Sequence, residues 1–235
     1  MKFIKYQGLG NDFIIVDSFG EKPTISADRA AKLCDRHFGV GADGILIVQK
    51  GVKHKYYMKI INSDGSEPEM CGNGIRCLVK YLVDYRGEIG NPMNVETPGG
   101  MKSCRYVADA KTGKATEVVV SMGKPALERR KIPMSGAGSN LNQIVKVRDR
   151  EFTGHGVSMG NPHFVIFGDY GLGTAASYGG DISEHELFPQ KTNVEFVKVV
   201  SRNRLEAAVY ERGCGVTLAC GTGASAIAVA SCVLV

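Results

Sequence analysis

Two short stretches carry residue types and spacings that could do chemistry. The first is Glu69-Met70-Cys71-Gly72-Asn73-Gly74-Ile75-Arg76-Cys77, and the second is Ala219-Cys220-Gly221-Thr222-Gly223-Ala224. Each places a cysteine before Gly-X-Gly and an apolar run, the pattern of a tight turn that opens a helix with the sulfur at its N-terminus. Free N–H groups and the partial positive charge at a helix N-terminus stabilise a thiolate. Three chemistries come into question. Structural zinc sites usually separate paired cysteines by about two to four residues, whereas five lie between Cys71 and Cys77 and five between Cys214 and Cys220. Thiol–disulfide exchange favours Cys-x-x-Cys, which does not occur. Proton transfer needs one thiolate and one thiol on opposite faces of a carbon: the first removes the α-proton, the second returns one from the other side, and the configuration inverts. The same N–H groups can hold an α-carboxylate and stabilise the charge of the carbanion. Taken singly, each cysteine also reads as a small buried hydrophobe. As a matched pair they are expected to face each other across one small-molecule site.

The elements that must position them follow from periodicity. Ile75, Leu78, Val79, Leu82 and Val83 make one apolar helical face after Cys71, so this helix should pack into a core and end at Gly87. The last helix starts near Gly221 and is crowded with small apolar residues. Strands are expected at 2–6, 12–17, 45–49, 55–62, 93–97, 101–107, 116–122, 152–159, 163–167, 192–200 and 204–211. Ser26 to Phe38 reads as a helix capped by Ser26. Residues 108–115 read as a linker between halves, 133–140 as a loop, and the glycine-rich 169–180 as loop before a short helix near 182–187.

At 235 residues and 43% hydrophobic, the chain suffices for one large or two small cores. The net charge of +5 is scattered, and without basic blocks or aromatic interleaving it gives no nucleic-acid footprint. No apolar run approaches the length of a membrane span, and the N-terminal residues lack the apolar region of a signal peptide. A cytoplasmic protein with reduced thiols is expected.

The chain reads as a duplication. Gly10-Asn11-Asp12-Phe13 resembles Gly160-Asn161-Pro162-His163-Phe164; Asn11 precedes Cys71 by 60 positions, and Asn161 precedes Cys220 by 59. Asn62 and Glu211, each at a strand end, both precede their cysteine by nine. Three landmarks in register predict two halves related by a pseudo-twofold, 1–115 carrying Cys71 and 116–235 carrying Cys220, with the site between them.

Both cysteine stretches, Met159-Gly160-Asn161-Pro162-His163, Glu211-Arg212-Gly213 through Thr217, and Asn62-Ser63-Asp64-Gly65-Ser66 together resemble the diaminopimelate epimerase family, along the whole chain. The resemblance implies an α/β (α+β) fold of two pseudosymmetric halves, each a curved, mostly antiparallel sheet wrapped round a central helix, with the active site in the cleft. It implies a cofactor-independent epimerase of LL- and meso-diaminopimelate in lysine and peptidoglycan-precursor synthesis, with this small molecule as substrate and no nucleic-acid or membrane partner. By position, Cys71 and Cys220 are the acid/base pair, with protonation tuned by His163 and Glu211. Substrate contacts fall on Asn11, Asn62, Gly72, Asn73, Asn161, Asn193, Glu211, Arg212, Gly221 and Thr222. No metal ligand is implied. Gly44 stands where some members have glutamine, and Val216 where glutamate is usual. Family members continue beyond the last helix with further strands, so an ending at Val235 predicts a shortened C-terminal half with an open sheet edge and exposed apolar surface. Homodimerisation is expected of a full-length version. The rival readings are a proline-racemase-like epimerase and a non-catalytic homologue that only binds ligand.

Overall fold

The computed structural model describes residues 2–20 and 25–234. The chain divides into two compact units that meet in sequence between Ser121 and Met122. Each is described on its own. Val235, where the expected early ending falls, lies outside the described residues.

The first unit is a seven-stranded mixed sheet in sequential order, β1 (Ile4–Gly8), β2 (Asn11–Asp17), β3 (Gly44–Lys50), β4 (Tyr56–Asn62), β5 (Met93–Thr97), β6 (Gly100–Ala108) and β7 (Ala115–Val120). Neighbours run antiparallel except β2/β3 and β4/β5, whose connections are helical: α1 (Ala27–Cys34) and α2 (Gly72–Arg86). The central parallel pair is buried on both faces, hence its unbroken apolar runs Phe13–Val16 and Ile45–Val48. Ile14, Val16, Ile45 and Ile47 cluster with Ala30 and Cys34 of α1. The opposite face curls round α2, which packs against β1, β2, β3, β4, β6 and β7. Asp84 of α2 ties the two outer strands together, accepting from the Tyr6 hydroxyl at 3.0 Å and from the Ala115 N–H at 2.9 Å.

The second unit repeats the plan in a six-stranded sheet, ordered β13 (Gly215–Thr217), β12 (Arg204–Glu211), β11 (Asn193–Ser201), β10 (Pro162–Phe167), β9 (Arg150–Ser158) and β8 (Gln143–Val147). Its parallel pair is β10/β11, joined by α3 (Leu172–Ser183). Phe164, Ile166, Val194 and Phe196 face Ala175 and Ile182 of α3. Val157, Val165 and Val197 face Ala226, Ile227 and Ala230 of α4 (Gly221–Leu234). Strand, helix, strand, strand, helix thus recur in one order, with the short β13 inserted before α4, as expected of a duplication.

Three expectations change, and two strands were not foreseen. The boundary after residue 115 moves: 109–114 is the turn of the β6–β7 hairpin, and β7 pairs Cys104–Ala108 rather than opening the second half. The helix from Ser26 stops at Cys34, because Asp35 turns extended and its Oδ1 accepts the His37 and Phe38 N–H groups, each at 2.7 Å. The segment expected to be loop at 169–180 is largely α3. Two of its glycines face Tyr210: a Cβ on Gly179 would lie 2.6 Å from Tyr210 Cβ and one on Gly180 3.2 Å from its hydroxyl oxygen, so close approach to β12 overrides glycine's poor helix propensity there. The unforeseen strands are β8 and β13, the latter three residues long and too short for an alternating pattern to be read.

Candidate active site

In the first unit, Cys71 is the N-cap of α2, with extended φ and ψ of −136° and 117°, and its Sγ accepts from the Gly74 N–H at 3.4 Å. The sulfur therefore takes the place of the usual capping oxygen. A Cβ on Gly74 would approach Ile60 Cδ1 to 3.1 Å, so the Gly-X-Gly turn lets α2 seat its first turn on β3 and β4. Half-buried Cys71 reaches Asn11 Oδ1 at 3.7 Å, and the same oxygen accepts from Asn73 Nδ2 at 3.3 Å. Asn11 in turn donates to Asp43 Oδ2 at 2.8 Å. Arg36 bridges Asp43 and Asp12 at 2.7 and 2.8 Å. Burial would raise the Asp12 carboxyl, but hydrogen bonds from Arg36 and Lys5 outweigh it and hold Asp12 well below the usual carboxylate range. Asn62, buried at the end of β4, donates to Ser66 Oγ at 3.0 Å. Gly72 and Asn73 are buried in the first turn of α2. Cys77 is a core residue whose thiol burial pushes up to about 11.

The second unit places Cys220 in the same relation to α4. Its Sγ accepts from the Gly223 N–H at 3.3 Å, and its carbonyl accepts from the Ala224 N–H at 2.9 Å. Asn161 Nδ2 donates to Thr222 Oγ1 at 3.3 Å, the counterpart of the Asn11–Asn73 contact, and Thr222 Oγ1 lies 3.2 Å from Cys220 Sγ. The surroundings differ from there on. His163 is fully buried, with Nε2 3.0 Å from Asn161 Oδ1 and Nδ1 2.6 Å from Glu195 Oε1. Glu211, at the end of β12, accepts from the Thr217 hydroxyl at 2.6 Å. Burial raises its carboxyl and the charge of Glu195 adds to this, against hydrogen bonds from Thr217 and Cys220. The Cys220 thiol is raised well above its ordinary value, first by burial, then by Glu211 and Glu195. Asn193 is buried, donating to the Pro162 carbonyl and accepting the Arg212 N–H, each at 2.9 Å. It thereby fixes the backbone on which the half-buried Arg212 is carried; Arg212 Nη1 reaches the Gln190 carbonyl at 3.0 Å. Gly221 and Thr222 form the first turn of α4.

Each unit therefore gathers its own share of the expected residues: Asn11, Asn62, Cys71, Gly72 and Asn73 in the first, and Asn161, His163, Asn193, Glu211, Arg212, Cys220, Gly221 and Thr222 in the second. Glu195 was not foreseen. Its signal was an acidic residue inside the apolar run Val194-Glu195-Phe196-Val197.

The family model of diaminopimelate epimerase matches residues 3–128 and 156–234. The chain is 45% identical over 233 residues to the diaminopimelate epimerase of Moorella thermoacetica, covering 98% of this chain and 83% of that protein. It is 46% identical over 234 residues to that of Elusimicrobium minutum, with the same shares covered. The chain belongs to the diaminopimelate epimerase family. As a member it falls among isomerase-class enzymes. Solved structures extend the likeness in fold alone: a hydroxyproline epimerase from Agrobacterium vitis superposes with a TM-score of 0.73 at 13% identity, over 99% of this chain and 76% of that one. A probable proline racemase from Agrobacterium radiobacter gives 0.72 at 12%, over 99% and 77%. They support the α+β fold of two sheets with helices. Among the described residues, no helix is long and apolar enough to cross a membrane.

Proposed function

We propose that this chain interconverts LL- and meso-diaminopimelate without a cofactor, by proton transfer between Cys71, Cys220 and the α-carbon. The observation that carries the reading is the duplicated half-site: each sulfur caps a helix and accepts the third N–H of its Gly-X-Gly turn, at 3.4 and 3.3 Å. A sulfur held this way can serve as thiolate base or as thiol acid. Two copies give what inversion at one carbon requires. Cys71 and Cys220, the latter with its thiol raised by burial and two carboxylates, exchange the roles of base and acid between the two directions.

The remaining residues suit a diamino diacid. N–H groups around Gly72, Asn73, Gly221 and Thr222 hold the reacting α-carboxylate and stabilise carbanion charge. Asn11, Asn62, Asn161, Asn193, Glu211 and Arg212 recognise the ammonium and carboxylate groups, amides because they both donate and accept, Arg212 because it suits a carboxylate. Protonation beside the cysteines is tuned by His163 and Glu211. In this reading the enzyme works in the cytoplasm, in lysine and peptidoglycan-precursor synthesis, and as a homodimer. Chiral separation of products from LL-diaminopimelate and from L-proline tests it. Interconversion of diaminopimelate alone is expected. Inversion of proline without turnover of diaminopimelate would overturn the reading in favour of a proline-racemase-like enzyme; turnover of neither would favour a binding homologue.

A further inference from the structure

Glu195 has no place in the proton transfer just described, yet its position is unusual. It lies on β11, fully buried, on the face that packs α4. Its Oε1 is 2.6 Å from His163 Nδ1, while its Oε2 has no hydrogen-bond partner among the described residues. A buried carboxylate oxygen left unpaired is unfavourable and asks for a reason. The fold also makes room for it: a Cβ on Gly223 would stand 2.9 Å from Glu195 Oε1, so the second glycine of the turn admits the carboxylate to the N-terminus of α4.

From Glu195 the contacts run without a break to the sulfur. His163 joins it to Asn161, Asn161 to Thr222, and Thr222 to Cys220, at 2.6, 3.0, 3.3 and 3.2 Å in turn. The polarity of this chain is set at its far end. An ionised carboxylate only accepts, so His163 Nδ1 donates to it; Asn161 is oriented with Oδ1 toward His163 Nε2, so that nitrogen must carry a hydrogen as well, which the carboxylate at Nδ1 favours, whereas a neutral imidazole would accept there and turn Asn161 round. Asn161 then donates its amide hydrogen to Thr222 Oγ1, which leaves the threonine hydroxyl hydrogen for Cys220 Sγ. With the opposite polarity, Asn161 turns round and takes the hydroxyl hydrogen, and Sγ keeps only the Gly223 N–H.

We propose that Glu195 is a positioning residue for Cys220, acting through His163, Asn161 and Thr222 to direct a hydroxyl hydrogen bond at the sulfur. This deepens the two-cysteine reading and rests on it for its catalytic meaning. The hydrogen bond supports the thiolate form that Cys220 must adopt when it serves as base. The charged groups facing Cys220 are Glu195 on β11, His163 on β10 and Glu211 at the end of β12; Glu211 acts directly, and Glu195 also by its charge. A purely structural Glu195–His163 pair would act on Cys220 through the charge of Glu195 alone, to the same extent with and without the Thr222 hydroxyl.

The test is alkylation by iodoacetamide across a pH series, read separately at Cys71 and Cys220 by peptide mass spectrometry, with no substrate present. Glu195→Gln keeps shape and His163 contact but removes the charge that sets the polarity. Thr222→Val is expected to move the Cys220 midpoint up by about one pH unit, a tenfold fall in thiolate at a given pH, but to move it little in a Glu195→Gln background, where the hydroxyl hydrogen is no longer directed at the sulfur; comparing the two backgrounds cancels the direct charge of Glu195, whose removal by itself lowers the midpoint. Cys71 should stay where it was, and Thr222→Ser should titrate like the wild type. Where diaminopimelate is turned over, kcat of Glu195→Gln should fall about tenfold with little change in KM. A Thr222→Val shift at Cys220 of the same size with and without Glu195 overturns the relay, as does an equal shift at Cys71. If Glu195→Gln does not fold, Glu195→Asp keeps the charge but shortens the reach to His163 and is read directly: an upward shift of the Cys220 midpoint supports the relay, and an unmoved midpoint overturns it. Because alkylation needs no substrate, failure of the relay is distinguishable from failure of the epimerase reading, which would show as absent turnover in the wild type.

Discussion

The two half-sites share a backbone plan and differ in what fills it. Phe13 pairs with Gly44 across β2 and β3, as His163 pairs with Asn193 across β10 and β11. Two residues further along, Leu46 stands where Glu195 stands, and each lies beside the second glycine of its turn. An apolar Phe–Leu layer therefore supports the first cysteine, and a buried His–Glu pair supports the second. Asn62 and Glu211, nine residues before their cysteines, repeat the contrast of neutral with acidic. Duplication supplied one scaffold for two sulfurs; substitution in the layer beneath set carboxylates near Cys220, where they raise its thiol, and an apolar pair on the Cys71 side. A thiolate/thiol pair needs such a difference, since two identical sites would share one proton without preference.

The comparison can be broken most severely at the sulfurs. Cys71→Ala and Cys220→Ala should each lower kcat by roughly 10²–10⁴-fold, the usual worth of a general acid or base, with unchanged circular dichroism. Turnover retained in either would remove the equivalence of the half-sites. Next is the supporting layer. Leu46→Gln puts an amide where the first unit offers only Phe13, Ile60 and their neighbours, and should lower unfolding free energy by about 3 kcal/mol. Glu195→Gln, with His163 as partner, should lower it by less. Urea titrations of the two variants decide this, and equal losses would mean that the two layers are not functionally distinct.

The glycines give a matched pair with smaller effects. Gly223→Ala drives a methyl against a carboxylate held by His163, whereas Gly74→Ala meets a movable Ile60 methyl at 3.1 Å. Gly223→Ala should reduce kcat about tenfold and Gly74→Ala by no more than about twofold, its strain partly offset by about 1 kcal/mol of helix propensity. The smallest effect concerns pH. Glu211 has its folded pKa raised by burial and by Glu195, so its contribution is fully present below the unfolded carboxylate range, about pH 4, and is lost as pH rises through the folded value. Glu211→Gln should therefore gain stability relative to wild type as pH rises from about 4; an unchanging difference in urea midpoints would contradict the assignment.

Much of this was legible in the residue pattern. Gly-X-Gly after each cysteine located both helix N-termini, and the apolar stripe from Ile75 to Val83 located the face of α2, because these signals are local. The register of Asn11, Asn62 and Cys71 against Asn161, Glu211 and Cys220 located the repeat. Less visible were features decided by distant partners. Helix α3 forms through glycines that admit Tyr210, and β7 joins the first sheet because β6 offers it an edge. Glu195 looked like one polar residue in a strand; its meaning depends on His163, 32 positions away. The Asp12–Arg36–Asp43 bridge behind Asn11 was equally hidden, since its members are dispersed along the chain.

The most direct measurement follows hydrogen at the α-carbon. LL-diaminopimelate is incubated with the protein in deuterated water and sampled at low conversion. With Cys71 taking a proton on one face and Cys220 delivering one on the other, the meso product should carry solvent deuterium while recovered LL-diaminopimelate keeps its protium. Deuterium entering the recovered substrate as fast as product forms, or product without deuterium, would contradict transfer between two thiols.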